Sequence, residues 1–294
     1  MKGISAEDSG GLKVFLELFR PFTLLPPATG IFCGALCAIG AWSRTDADLA
    51  ALEILQRRWF LILVAATAAS ILNAASNVLN QYTDKDIDSI NKPSRPLPSG
   101  RVTERSILIL TGVLFSVGLL TAWALSLCGL GDFFVLALLG TVSTVLYSVK
   151  PFRLKRFLYF SNLAIAVPRG YLLIVAGWSC ATSVSVFEQR EPWYLGMVLF
   201  LFLLGAASTK DFSDMRGDQL GGCVTLPIKF GARKAAWMIA PFLTLPWLLL
   251  PYDVLRRMNH HHIGVLSADR VLLLLLGLGL AGYGAYVSHL IVRA

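Results

Sequence analysis

Eight apolar stretches, at about 20–42, 59–82, 106–128, 131–148, 158–180, 193–210, 234–252 and 266–291, divide this chain. Several are close to the roughly 20 residues that a helix needs to cross the hydrocarbon of a bilayer. Inside lipid every backbone donor and acceptor must be satisfied by the chain itself, which restricts such segments to helices or closed barrels. Uninterrupted apolar runs of this length read as helices, so the fold class expected is an all-α polytopic membrane protein. The composition agrees: 55% of residues are hydrophobic, 15% are charged and the mean hydropathy is +0.65, outside the balance of a soluble domain. The 294 residues read as one transmembrane domain. The first dozen, with Ser5, Ser9, Gly10 and Gly11, read as a disordered tail. The first apolar stretch is long, begins after Arg20-Pro21 and lacks a clear small-residue cleavage site, so no cleavable signal peptide is expected.

Basic residues set the orientation. If the N-terminus, the loops after the second, fourth and sixth spans and the C-terminus share one side, that side holds 18 of the 26 Lys and Arg residues. Seven lie opposite, and Arg169 falls within a span. The excess makes the first side cytoplasmic. The net charge of +8 calls for no nucleic-acid partner; membrane lipids with anionic headgroups and an anionic substrate account for it.

Two polar runs end apolar stretches on that side. The first is Asn80-Gln81-Tyr82-Thr83-Asp84-Lys85-Asp86-Ile87-Asp88, and the second is Lys210-Asp211-Phe212-Ser213-Asp214-Met215-Arg216-Gly217-Asp218. Asn80, Asp84 and Asp88 fall at i, i+4 and i+8, and Asp211, Asp214 and Asp218 at i, i+3 and i+7, so each set shares a helix face if the helix continues that far. Two such faces turned toward each other make an oxygen-lined cage for hard divalent cations. Magnesium binds through one or two carboxylates plus substrate phosphates, which makes Asp84, Asp88, Asp211, Asp214 and Asp218 candidate Mg²⁺ ligands. Asp86 points away from its neighbours and reads as solvated.

Cations surround these acids. The loop Ile90-Asn91-Lys92-Pro93-Ser94-Arg95-Pro96-Leu97-Pro98-Ser99-Gly100-Arg101 carries Lys92, Arg95 and Arg101 as candidate phosphate contacts, Arg as a bidentate fork and Lys as a point charge. The same side offers Lys150, Arg153, Lys155 and Arg156; for Lys155, Arg156, Arg233 and Lys234 the reading as topology charges stands beside this one. Asn77 and Asn73 extend the first polar face one and two turns deeper. In hydrocarbon they need partners, and they either cap a ligand cavity, where Asn77 is the candidate contact, or bond a neighbouring helix. The five cysteines are scattered and read as small hydrophobes. His260-His261-His262 reads as a solvated loop on the side opposite the aspartates.

The pattern Asn-Gln-x-x-Asp-x-x-x-Asp, then Asn-Lys-Pro-x-Arg-Pro-Leu-Pro-Ser-Gly, then Lys-Asp-x-x-Asp-x-x-x-Asp and Thr225-Leu226-Pro227, resembles the intramembrane prenyltransferases of the UbiA superfamily over residues 15 to 235. The resemblance implies Mg²⁺-dependent transfer of an isoprenoid chain from a prenyl diphosphate to a small aromatic or lipid acceptor. It also implies a ring of nine transmembrane helices around a central cavity, under a cap of loops. Eight spans are counted here, so either a final helix is missing or 234–291 divides differently. On the resemblance, Asn80, Asp84, Asp88, Asp214 and Asp218 map to the metal and diphosphate site and Asp211 to a further acid. Lys92, Arg95, Lys150 and Lys210 map to phosphate contacts, Arg20 to a basic residue at the start of the first helix, and Tyr147 to a tyrosine facing the cavity.

Gln81, Thr209-Lys210-Asp211, Leu154-Lys155-Arg156 and the run from Val167 to Leu173 look like the homogentisate branch, and the acceptor expected is an aromatic quinone precursor. Arg95-Pro96-Leu97-Pro98-Ser99-Gly100 and Thr225-Leu226-Pro227 look instead like enzymes with a tetrapyrrole or glycerol-phosphate lipid acceptor, which is the alternative. Polar residues on corresponding helices also mark ion pathways in secondary transporters. Transport fits less well, because the acids cluster at one surface and not near the midplane.

Overall fold

A computed structural model of the chain describes residues 6–45, 51–184, 189–259 and 265–293. Among them there are helices and connecting turns and no strand. The helices are α1 (Ala6–Phe19), α2 (Leu25–Thr45), α3 (Ala51–Thr83), α4 (Lys85–Asn91), α5 (Glu104–Leu127), α6 (Gly131–Ser148), α7 (Leu158–Ala166) and α8 (Leu173–Trp178). They continue as α9 (Glu191–Ala206), α10 (Asp211–Leu220), α11 (Leu226–Phe230), α12 (Ala232–Thr244), α13 (Leu249–Asn259) and α14 (Arg270–Arg293).

Among the described residues eight helical stretches are long and apolar enough to cross a membrane: Lys13–Trp42, Ala51–Thr83, Glu104–Leu127, Gly131–Ser148, Leu158–Trp178, Glu191–Leu220, Ala232–Arg256 and Arg270–Arg293. The count matches the sequence reading, and the described residues between 234 and 291 supply two spans. Of the stretch expected as a tail, residues 1–5 lie outside the described residues, and α1 begins at Ala6.

The largest core cluster joins α2, α3, α5, α6 and α8 through Ile31, Ala35, Ile62, Ala65, Ala122, Phe133 and Val175. Small residues let the backbones close up. A Cβ on Gly177 would lie 2.5 Å from the Ile31 carbonyl oxygen, so α2 and α8 can cross there only because that side chain is missing. The outer faces stay apolar and exposed, as with Leu120, Leu272, Leu275 and Leu278, which is what a lipid-facing surface requires.

The chain breaks between α1 and α2, at Arg20, whose φ of 52° is left-handed. A break in hydrocarbon frees carbonyls that have no helical donor. Three amides on one face of α3 supply donors. Gln81 Nε2 donates to Leu18 O at 2.9 Å, Asn77 Nδ2 to Phe19 O at 3.0 Å and to Thr23 Oγ1 at 2.7 Å, and Asn73 Nδ2 to Thr23 O at 2.7 Å. This fixes Arg20 at the mouth of the site.

Candidate active site

The first aspartate motif straddles a helix break. α3 ends at Thr83 and α4 begins at Lys85, with Asp84 between them. Helical spacing survives the break, because Asp84 N donates to Asn80 O at 2.9 Å and Asp88 N to Asp84 O at 2.7 Å. Asn80, Asp84 and Asp88 therefore share one face, as the i, i+4, i+8 spacing predicts, and Asp86 is exposed. In the second motif α9 passes through a 3-10 turn, Ala207–Lys210, into α10.

Asn91, at the end of α4, joins the motifs. Its Nδ2 donates to Asp214 O at 2.9 Å, and its Oδ1 accepts from Gly217 N at 2.8 Å. A Cβ on Gly217 would lie 2.5 Å from the Asn91 side chain, so glycine is needed for the two helices to meet. The result is a cleft of about 220 Å³ lined by Asn80, Asp84, Asp88, Asp211, Asp214 and Asp218, with Arg20, Lys92, Arg95, Tyr147, Lys155 and Lys210 around them.

Acids and cations interlock. Lys92 Nζ donates to both oxygens of Asp214, at 2.8 and 2.6 Å, and Arg95 Nη1 to Asp88 Oδ2 at 2.5 Å. Lys155 pairs with Asp84, which Arg153 Nη2 also approaches, at 3.5 Å, while donating to Thr83 O at 2.8 Å. Lys210 Nζ donates to the Tyr147 hydroxyl at 3.0 Å. Arg20 and Arg153 are the only non-glycine residues with positive φ among the described residues. Strained backbone of this kind clusters where a fixed geometry is needed. Burial pushes the Lys155 ammonium down to about 8, against the raising pull of Cys223 and Asp218.

One turn deeper on α3 and α6, a cavity of about 430 Å³ opens, walled by Phe22, Ile31, Leu72, Phe133, Leu136, Leu172 and Leu203. A charged cleft thus caps an apolar chamber.

Comparison with known proteins matches residues 49–294 to the UbiA prenyltransferase family. The chain belongs to the UbiA prenyltransferase family. It is 30% identical to the chloroplastic chlorophyll synthase of Arabidopsis thaliana, over 81% of this chain and 58% of that protein. It is 32% identical to the digeranylgeranylglyceryl phosphate synthase of Thermococcus gammatolerans, over 79% of this chain and 74% of that one. The chain thus spans somewhat over half the length of the plant relative. In fold it resembles a UbiA homologue from Archaeoglobus fulgidus solved bound to DMAPP and Mg²⁺, with a TM-score of 0.68, 19% identity, and coverage of 94% of this chain and 86% of that one.

The donor chemistry in this UbiA chain suits a hard cation. Five carboxylates and the amide oxygen Asn80 Oδ1, which is buried and unpartnered, line the cleft. Among the described residues no three His, Cys, Asp or Glu side chains converge to hold an ion on their own. Mg²⁺ usually takes one or two carboxylates and completes its shell with substrate phosphate oxygens. The buried Arg20 Nη2 is likewise unpartnered, a donor available to an oxyanion.

Several candidates are placed differently from the sequence reading. Lys150 is exposed and lines a separate outer groove with Phe152 and Arg156, outside the cleft. Arg153 also lines that groove, but its guanidinium turns inward to Asp84. Asn77 is buried and spends its amide donors on the α1–α2 junction, so the neighbouring-helix alternative holds for it. Arg101 bonds Glu17 Oε2 and Ser94 O, both at 2.5 Å, and ties the loop to α1.

Lys155, which the sequence left open between a site cation and a topology charge, is buried in the cleft, and nothing in its spacing separates it from exposed Arg156. Asn91 was legible only as part of a motif, not as the hook between motifs. Cys223 lines the cleft with its thiol pushed up by burial, so it is not a reactive thiolate. The triple histidine lies outside the described residues.

Proposed function

We propose that this chain transfers a prenyl group from a prenyl diphosphate to an acceptor dissolved in the membrane, with Mg²⁺ bound between the two aspartate motifs. The observation that carries the reading is the juxtaposition of a carboxylate and cation cleft with an apolar cavity directly beneath it. Asp84 and Asp88 on one side and Asp211, Asp214 and Asp218 on the other would hold Mg²⁺, which when bound would supply charge neutralisation for a diphosphate leaving group. Lys92 and Arg95 release Asp214 and Asp88 to contact the diphosphate oxygens, joined by Arg20 and Lys210, so that donors face the charge that develops.

The bond from the prenyl C1 to the diphosphate oxygen breaks, with the electron pair leaving on diphosphate. The acceptor nucleophile bonds to C1, and the proton it carries, where it carries one, passes to the departing diphosphate. Tyr147, held by Lys210, presents its ring beside the cleft as a cation–π partner for the allylic cation. The apolar walls below exclude water that would quench it.

The sources of similarity bear on the acceptor. Relatives named for chlorophyll and for digeranylgeranylglyceryl phosphate support the tetrapyrrole or lipid alternative over the aromatic quinone precursor. The clustering of basic residues supports a cleft that opens to the cytoplasm. The test is incubation of purified protein with geranylgeranyl diphosphate, Mg²⁺ and one acceptor of each class, with products read by mass spectrometry. A prenylated tetrapyrrole or glycerol-phosphate lipid is expected; prenylation of homogentisate alone would return the acceptor to the quinone class, and no prenylated product from any of the three would overturn the proposal.

A further inference from the structure

Outside the cleft, one cation faces hydrocarbon-lined space. Arg169 lies midway along the fifth span, Leu158–Trp178, within a π-helical segment, Val167–Leu172. Wide turns of this type are frequent at functional sites. Arg169 lines the 430 Å³ cavity and forms no ion pair among the described residues. Its recorded contact is neutral: Nη2 donates to Asn73 Oδ1 at 3.3 Å. Asn73 is itself oriented, because its Nδ2 is committed to Thr23 O at 2.7 Å.

A guanidinium has five donors, so most of those of Arg169 remain for a ligand. A charge at membrane depth is costly and marks function by default. The cleft acids do not pair with it: Asp84, Asp88 and Asp214 are taken by Lys155, Arg95 and Lys92, Asp211 and Asp218 form no ion pair with Arg169, and Arg169 is not among the cleft's lining residues.

We propose that Arg169, positioned by Asn73, binds an oxyanion carried by the acceptor, a carboxylate or a phosphate, and so selects amphipathic acids as acceptors. This rests on the prenyl-transfer reading. The diphosphate has its own cations in the cleft, Arg20, Lys92, Arg95 and Lys210, which leaves the guanidinium in the cavity for the second substrate. The bidentate fork suits either oxyanion, and the hydroxyls of Thr144 and Ser76, which line the same cavity, can donate to its remaining oxygens.

The test uses full-length protein in non-ionic detergent. Mg²⁺ and inorganic diphosphate are added to saturation, and their binding is measured first by calorimetry. Absence of Mg²⁺-dependent diphosphate binding refutes the reading of the cleft and leaves the next comparison standing on its own. Dodecyl phosphate, dodecanoate and dodecanol are then titrated. Wild type should prefer one of the acids to the alcohol by about tenfold or more, the scale of one charge-assisted contact. A stronger response to dodecyl phosphate indicates a phosphate-bearing acceptor, and a stronger response to dodecanoate a carboxylic acid.

Arg169→Gln should lose that preference while diphosphate binding persists. Arg169→Lys should keep part of it, which covers the case in which the glutamine variant does not fold. Equal binding of all three amphiphiles by wild type would overturn the proposal. So would an Arg169→Gln protein that keeps the acid preference, or one that loses diphosphate binding alone.

Discussion

Replacing Lys155 with Met removes the ammonium set against Asp84. The pair is sheltered, with side chains 6% and 13% exposed, and after the change Asp84 keeps only the more distant Arg153 at 3.5 Å. Removing one member of a buried ion pair costs about 3–5 kcal/mol, because the surviving charge loses its compensation. The remaining arginine puts the expected loss at the lower end, about 3 kcal/mol. Asp84→Asn should cost a similar amount for the mirrored reason, since Lys155 stays buried. The double variant neutralises both partners, so its loss should fall short of the sum of the single losses by about 1–3 kcal/mol.

At about 2–4 °C per kcal/mol for a chain of this size, each single substitution lowers Tm by about 6–12 °C. Thermal unfolding in non-ionic detergent, followed by tryptophan fluorescence, measures all four proteins. Losses that add to within about 0.5 kcal/mol would refute the coupling and with it the place of Lys155 in the cleft.

Asp84→Ala and Asp218→Ala should abolish prenyl transfer, and activity within about tenfold of wild type, on the order of 1.4 kcal/mol, removes the residue from the metal set; exposed Asp86→Ala should be far milder. Arg95→Lys should still be impaired, because an ammonium lacks the paired donors of a guanidinium, and a loss confined to kinetics in prenyl diphosphate at saturating Mg²⁺ is the outcome that supports a phosphate contact. Gly217→Ala should separate the motifs by driving Asn91 aside, lowering turnover and Mg²⁺ affinity together; wild-type values for both would show that the hook between the motifs is dispensable.

The fold and the aspartates were legible because both signals are local. Eight apolar runs gave eight membrane-length helices, and i, i+4, i+8 spacing put Asn80, Asp84 and Asp88 on one face even though the helix breaks at Asp84. What spacing cannot carry is the destination of a long side chain. Lys155 and Arg156 are adjacent and chemically alike, yet the turn at Leu154–Arg156 buries the first and exposes the second. Asn77 looked like a deep extension of the polar face. Its partner is instead created by a backbone break at Arg20, which only the tertiary packing of α1 against α3 reveals. Arg169 announced itself as a charge within a span, but its cavity and its support from Asn73 emerge only when α3 and the fifth span are brought together.

The central claim is that the two aspartate motifs hold a prenyl diphosphate through Mg²⁺ and make diphosphate its leaving group. Release of diphosphate by the purified protein, supplied with geranylgeranyl diphosphate and the acceptor that it prenylates, tests this directly. Release should require Mg²⁺, stop on chelation, resume when the metal is restored, and vanish in Asp84→Ala. A protein that binds the prenyl diphosphate but releases none at any Mg²⁺ concentration, as a transporter would behave, contradicts the account.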